Sequence, residues 1–161
     1  MKVPTEGGRS GAKLAVRDVA RIRRIAAAVR KNSRPIPLVL GGRDAAAAAD
    51  AIASQLGLTL FRIDLSKVVS KYIGETEKNL ANVLAGAEAS GAILFFDEAE
   101  ALFGKRSSVK DAHDRYSNAT VNSLLRGLRS HDGLVIFVSE AGVAVRIKWR
   151  RYFSFHHFPP D

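Results

Sequence analysis

Residues 92–103 read Ala92-Ile-Leu-Phe-Phe-Asp-Glu-Ala-Glu-Ala-Leu-Phe103, an unbroken apolar run followed by two adjacent carboxylates. An apolar run of this length predicts a β-strand buried on both faces, as in a parallel sheet covered by helices. Consecutive strand side chains point to opposite sides, so Asp97 and Glu98 can do different work. We expect Asp97 to hold magnesium and Glu98 to orient or deprotonate a water molecule. The dipeptide alone also fits the ordinary acidic end of a strand, and its sequence context must decide between the two.

The rest of the chain alternates short apolar strands with helices of ten or more residues. Parallel strands need crossover connections of that length, so the pattern predicts an α/β fold with a three-layer parallel sheet and helices on both faces. Ligands of such sheets bind outside the carboxyl ends of the strands, where Gly41, Asp97 and Ser139 are expected to converge. The predicted strands are 37–40, 59–64, 92–96, 134–138 and 152–155, and the predicted helices are 12–31, 45–56, 75–90 and 119–130.

The first predicted helix, 12–31, has an apolar stripe and a separate basic face. Ten Lys or Arg residues lie within residues 1–34, against only two acidic residues. Such a segment can attract nucleic acid, an acidic membrane surface or an acidic partner, and it can equally be a solvated helix face. The stripe consists of Ala15, Val19, Ile22, Ala26 and Val29, and the cations that could bind nucleic acid are Arg17, Arg21, Arg23 and Arg24.

Two prolines divide the chain after this helix. Pro35 and Pro37 cannot continue a helix, so we expect a boundary between a basic tail and helix, 1–34, and a domain, 35–161. A chain of 161 residues can bury one ordinary core, and the absence of cysteine excludes disulfides and thiolate metal sites. The sequence has neither a signal-like start nor an apolar run of membrane-spanning length, so we expect a cytoplasmic protein without a membrane span.

Three segments, taken in their order along the chain, resemble the sequence motifs of one known family. They are Ser70-Lys-Tyr-Ile-Gly-Glu-Thr-Glu-Lys-Asn-Leu80, Phe96-Asp-Glu-Ala-Glu-Ala-Leu-Phe-Gly-Lys-Arg106 and Val109-Lys-Asp-Ala-His-Asp-Arg-Tyr-Ser-Asn118. Together they are similar to the AAA+ ATPases, specifically the classical subgroup whose rings remodel or unfold proteins. The resemblance covers roughly residues 35–161 and is far more specific than any one motif. It implies a P-loop NTPase-like fold, ATP and Mg²⁺ as cofactors, a protein substrate and a homo- or hetero-oligomeric ring.

The resemblance also implies a role for particular residues. Asp97 and Glu98 take the positions of the Walker B metal ligand and catalytic base. Lys71, Tyr72 and Ile73 match the pore loop that grips a threaded polypeptide. The segment Trp149-Arg-Arg-Tyr-Phe153 matches the one that supplies the arginine finger, which makes Arg150 and Arg151 candidates to act on the nucleotide of a neighbouring subunit.

The phosphate-binding loop departs from the family pattern G-x-x-x-x-G-K-[ST], in which backbone amides and a lysine hold the phosphates. The corresponding stretch, Leu40-Gly-Gly-Arg-Asp-Ala-Ala-Ala-Ala-Ala49, is two residues short, and no lysine occurs between Lys31 and Lys67. Gly41, Gly42 and Arg43 are then the only candidates to meet a nucleotide here. We expect Asp44 to cap the alanine-rich helix with its carboxylate and so occupy the amides that a phosphate needs.

Two further departures concern the far side of the nucleotide cleft. Ser139 and Glu140 stand where the family has a polar sensor asparagine, and a carboxylate there would repel a γ-phosphate. The sequence stops at Phe158-Pro-Pro-Asp161, where the family's small helical lid would begin, so we expect no lid. The sequence therefore predicts an AAA+ ATPase-like domain, coupled by family to protein remodelling, whose ATP hydrolysis is impaired. The alternative is a catalytically inactive pseudo-ATPase that acts as a protein-interaction module.

Overall fold

The structure is a computed structural model that describes residues 16–64, 73–99, 126–128, 131–140 and 151–159. None of its described helices is both long and apolar enough to cross a membrane. The helices are α1 (Val16–Lys31), α2 (Ala45–Leu56) and α3 (Ile73–Ser90), and the strands are β1 (Leu38–Gly41), β2 (Leu60–Asp64), β3 (Ile93–Asp97), β4 (Val135–Ser139) and β5 (Ser154–His157).

The five strands form one parallel sheet in the order β2-β3-β4-β1-β5. The chain passes from β1 to the far edge at β2, returns through β3 and β4 beside β1, and adds β5 on the other side of β1. The predicted α/β fold with a parallel sheet is therefore confirmed. The alanine-rich helix begins and ends where predicted, at Ala45 and Leu56, and the predicted strands are displaced by one or two residues at their ends.

Strand residues alternate between two hydrophobic clusters, one on each face of the sheet. On one face, α1 and α2 cover side chains that include Leu40, Phe95 and Ile136. On the other face, Ala87 of α3 packs with a second cluster that contains an aromatic stack. In that stack the ring centroids of Phe96 and Phe137 are 4.9 Å apart, and Phe153 meets Phe137 edge to face at 5.6 Å.

Helix α1 packs on α2, but its buried face differs from the predicted stripe. Ile22 and Ile25 join the same cluster as Ile52 of α2, whereas Val19 is 39% exposed. Asp18 is buried in place of Val19, and within the described part of the chain its Oδ2 atom has no hydrogen-bond partner. Apolar periodicity could not predict which side chain of this helical turn is buried, because a carboxylate occupies the inward position. The division of the chain at residue 34 stays a prediction.

Several predicted segments lie outside the described residues. They include the predicted tail 1–11, the first residues of the predicted helix 12–31, most of the predicted helix 119–130, of which 126–128 are helical, and the pore-loop residues Lys71 and Tyr72. Ile73 is the first residue of α3.

We predict that the docking of α1 contributes measurably to the stability of the fold. Ile22→Ala should lower the free energy of unfolding by about 2–4 kcal/mol, because it leaves a cavity between α1 and α2. Val19→Ala, one turn away on the exposed side, should change it by less than about 0.5 kcal/mol. Urea unfolding followed by circular dichroism would measure both, and equal effects would contradict the observed orientation of α1.

Strand β5 directs Ser154 and His156 toward α1, and the Ser154 Oγ and His156 Nε2 atoms are 2.9 Å apart. Burial removes water from the imidazole and is the main reason that the pKa of His156 lies below its ordinary value of 6.5. The positive charge of Arg21 lowers this pKa further. The surroundings of His156 in the folded chain therefore favour the neutral imidazole over its charged form.

This pKa shift predicts a loss of stability in mild acid. Below about pH 6.5 the unfolded chain takes up a proton at His156 that the folded chain resists, so the free energy of unfolding should fall as the pH drops. His156→Gln should flatten this part of the profile, whereas His157→Gln, an exposed position on the same strand, should leave it. Chemical denaturation between about pH 7.5 and about pH 5.5 would test the expectation, and an unchanged slope in His156→Gln would contradict it.

Candidate functional site

The carboxyl ends of the five strands form one edge of the sheet, and each ends in a residue of interest. Asp64, Asp97, Ser139, Gly41 and His157 follow one another across β2, β3, β4, β1 and β5. Asp64 is in register with Asp97, and Gly41 is in register with both Ser139 and His157. The structure thus brings Gly41, Asp97 and Ser139 to the same edge, where parallel sheets place their ligands.

Asp97 and Glu98 form a tight turn at the end of β3. The Asp97 Oδ1 atom accepts a hydrogen bond from the Glu98 backbone N–H at 2.8 Å, and the Ala99 N–H donates to the Val138 carbonyl at 3.0 Å. Glu98 has φ of +58°, a left-handed conformation that costs a residue with a Cβ about 1 kcal/mol. Its side chain is exposed and that of Asp97 is half-buried. The turn therefore holds the Asp97 carboxylate at the edge, with backbone strain at Glu98.

The turn between β1 and α2, residues 41–44, is where a phosphate would bind if the family pattern held. The Gly42 N–H donates to the Ser139 carbonyl at 3.0 Å, and the Asp44 N–H donates to the Phe158 carbonyl at 3.2 Å. The Phe158 N–H in turn donates to the Gly41 carbonyl at 2.7 Å. The backbone just after β5 is thereby joined to the turn on both sides. Two amides of the turn are committed to protein carbonyl oxygens.

Gly42 allows this close approach. Its φ is +102°, and a Cβ built on it would lie 2.3 Å from the Phe158 carbonyl oxygen and 2.8 Å from the carbonyl carbon. Only glycine adopts such a conformation without strain and leaves room for a backbone at that distance. In phosphate-binding loops glycine admits the phosphate, whereas here the space is filled by the chain itself.

The expectation that the Asp44 carboxylate caps α2 is wrong. Asp44 occupies the N-cap position, but its side chain makes no capping hydrogen bond. Capping residues normally have an extended backbone, whereas Asp44 has φ of −94° and ψ of +10°, which directs the side chain differently. Its carbonyl still accepts from the Ala48 N–H at 2.9 Å. The turn is thus closed by the Phe158 backbone rather than by a carboxylate.

The remaining residues predicted to meet a nucleotide lie around this turn. The Arg43 side chain is exposed, and so is Glu140, which follows β4. Ser139 is buried, and its carbonyl oxygen is the acceptor for Gly42. Neighbouring strands lie about 4.8 Å apart, so Asp97 on β3 is two strands, or about 10 Å, from β1. The roles of these residues toward a nucleotide stay predictions.

One arginine-finger candidate lies in the described part of the chain. The Arg151 guanidinium donates a hydrogen bond to the Tyr152 hydroxyl at 2.9 Å and lies 4.9 Å from the centre of that ring. Arg150 lies outside the described residues, as do Lys71 and Tyr72. No three His, Asp or Glu side chains of the described residues cluster in a way that could hold a metal ion, and the role of Asp97 toward a metal stays a prediction.

Phe158 is the residue that sequence reasoning missed. Its side chain is fully buried, and the Arg21 guanidinium lies 4.4 Å from its ring centre while donating a hydrogen bond to the His157 carbonyl. The arginine spacing along α1 marked Arg21 as part of a basic face, but nothing in the pattern assigned it to the end of β5. The contact that closes the turn uses backbone atoms, which sequence patterns do not reveal.

Comparisons with known proteins agree with this architecture. The model of the ATPase family associated with various cellular activities (AAA) matches residues 46–145. The chain is 38% identical over 77 residues to the uncharacterized AAA family ATPase y4kL of Sinorhizobium fredii. The aligned stretch is 48% of this chain and 23% of that protein. It is 36% identical over 91 residues to the ATPase family gene 2 protein of Schizosaccharomyces pombe. Here the aligned stretch is 55% of this chain and 11% of that protein.

A third relative is the probable 26S proteasome regulatory subunit 10B of Caenorhabditis elegans. It is 34% identical over 87 residues, or 53% of this chain and 21% of that subunit. The chain thus spans less than a quarter of the length of each of these three relatives. The match to the family model covers well over half of the chain, and the AAA family is one of ATP-binding and ATP-hydrolysing domains. From its fold and this match, the chain belongs to the AAA family of ATPases.

Proposed function

We propose that this chain is an AAA domain whose ATP hydrolysis is lost or strongly reduced and which acts as a protein-interaction module. The observation that carries the proposal is the closed turn between β1 and α2. The amides of Gly42 and Asp44, which should face a phosphate, donate instead to the carbonyls of Ser139 and Phe158. The described residues of the turn do not fit a nucleotide phosphate.

The energetic balance favours the closed turn. A phosphate would have to displace two backbone hydrogen bonds, each with a net value of about 1 kcal/mol, and move the Phe158 backbone away from Gly42. The family compensates for phosphate charge with a lysine, and residues 32–66 contain none. Arg43 is the nearest cation in sequence, but its planar guanidinium cannot replace an ammonium at the same reach. A nucleotide would therefore gain little binding free energy at this turn, and its binding would break the existing backbone hydrogen bonds.

A module of this kind can still work within an oligomeric ring. An arginine finger acts on the nucleotide of a neighbouring subunit, so Arg150 or Arg151 could serve a partner even if this chain binds no ATP. Pore contacts by Lys71, Tyr72 and Ile73 would also need only a place in the ring. The proposed partners are accordingly other AAA subunits, with a protein as substrate.

A slow ATPase is the second candidate, and the end of β3 supports it. Asp97 and Glu98 are fixed at the correct edge of the sheet, and the left-handed backbone of Glu98 is strain of the kind that active sites store. In this hypothesis ATP and Mg²⁺ are the cofactors, Asp97 holds the metal and Glu98 is the base.

Nucleotide measurements separate the two candidates. We predict no saturable binding of a fluorescent ATP analogue to the full chain at millimolar nucleotide, with or without magnesium, because the amides of the turn are occupied. Phosphate release should be equal for the unmodified chain and for Glu98→Gln. Saturable, magnesium-dependent binding together with a loss of turnover in Glu98→Gln would establish the slow ATPase instead. A cooperative thermal transition would show that each sample is folded.

The closed turn can also be tested without nucleotide. Gly42→Ala should lower the free energy of unfolding by about 2–4 kcal/mol, because the new Cβ would meet the Phe158 carbonyl in a left-handed backbone. Gly57→Ala is the matched control: Gly57 has φ of +65°, but a Cβ added there would meet no atom within 4 Å, so we expect a cost of about 1 kcal/mol. Equal costs, measured by urea unfolding, would show that the Phe158 backbone does not close the turn in solution.

A further inference from the structure

A groove with a volume of about 400 Å³ lies between α1 and β5, away from the carboxyl edge described above. One wall is α1, the other is β5, and the segment before β1 closes one end. Its lining is mainly apolar, with Ile25 and Leu38 among the contributing residues. Ile36 also lines it and is 57% exposed, so part of this apolar side chain is open to solvent at the groove. An apolar groove with an exposed isoleucine at its rim is suited to an apolar side chain.

Strand β5 is an edge of the sheet within the described residues. The Ser154 and Phe158 N–H groups donate toward β1, to the Pro37 and Gly41 carbonyls at 2.9 and 2.7 Å. Backbone groups of successive strand residues point to alternate sides, so those of Phe155 point outward. Such an edge can pair with another extended segment, and many domains recognise peptides in this way.

The wall formed by α1 is positively charged. Arg21 and Arg24 both line the groove. Arg21 is already engaged with the His157 carbonyl and the Phe158 ring, whereas the Arg24 side chain is exposed. Among the described residues that line the groove, none is acidic, so the cations face no carboxylate within it. The charge that complements this wall is negative.

We infer that this groove binds an extended, acidic peptide segment of a partner protein, which pairs with β5, places an apolar side chain beside Ile36 and sets carboxylates against Arg24. Two segments of this chain outside the described residues, 1–15 and 141–150, have the wrong charge for the groove. Residues 1–15 contain three Lys or Arg and one Glu, and residues 141–150 contain three Lys or Arg and no acidic residue. The inference rests on the proposed role as an interaction module but is independent of whether ATP is hydrolysed.

Fluorescence anisotropy with a labelled peptide of repeating Val-Ser-Glu-Ser, which presents valine and glutamate on one face of an extended strand, tests this inference on the full chain. We expect saturable binding of this peptide and none of a counterpart with lysine in place of glutamate. Arg24→Glu should weaken binding by about tenfold or more, because it places a carboxylate against the carboxylates of the peptide. Arg23→Glu is the matched control: the residue is adjacent, exposed and outside the groove lining, so we expect a change of about twofold or less.

Two further probes separate the groove from general attraction to a basic protein. Ile36→Asp should abolish binding, and a peptide with N-methyl groups on alternate residues should fail to bind because it cannot pair with β5. Equal weakening by Arg23→Glu and Arg24→Glu, undiminished binding of the methylated peptide, or tighter binding of duplex DNA than of the acidic peptide would each overturn the inference. None of these outcomes depends on nucleotide, so a failure here is distinct from a failure of the proposed loss of ATP hydrolysis.

Discussion

The hydrogen bonds between the Phe158 backbone and the turn after β1 are the constraint on which the rest of this structure depends. They join the edge strand β5 to Gly41 on one side and Asp44 on the other, while Ser139 of β4 holds Gly42 from the opposite direction. Three parallel strands therefore meet at one glycine turn. Hydrogen bonds from the protein backbone hold the conformation of this turn, whereas in related folds the turn binds a phosphate.

This constraint explains how the two halves of the edge differ. At β3, the Asp97 carboxylate accepts a hydrogen bond from the Glu98 N–H in a turn with a strained backbone. At β1, the amides that would hold such a ligand are paired within the protein. The turn contains no lysine, and the Phe158 backbone lies against Gly42.

Much of the fold could be predicted because its cause is local. A parallel sheet could be predicted without knowledge of side-chain packing. The evidence is the apolar runs at β3 and β4 and the length of the alanine-rich helix. The site was harder, because its decisive contacts lie between backbone atoms far apart in sequence. Asp44 had the residue type and position of a cap, but its bridge-region backbone prevented one. The burial of Asp18 similarly could not be read from apolar spacing, since it breaks the stripe that predicted α1.

The closed turn and the groove are linked by Arg21. Its guanidinium holds the His157 carbonyl and lies over the Phe158 ring, so it supports the strand end that closes the turn. The same side chain forms part of the groove wall and lowers the pKa of His156 on the facing strand. A change at Arg21 would act on the turn, the groove and the histidine together, and its effect could not be assigned to one of them. Helix α1 therefore supports, through Arg21, the backbone at the end of β5 that closes the turn after β1.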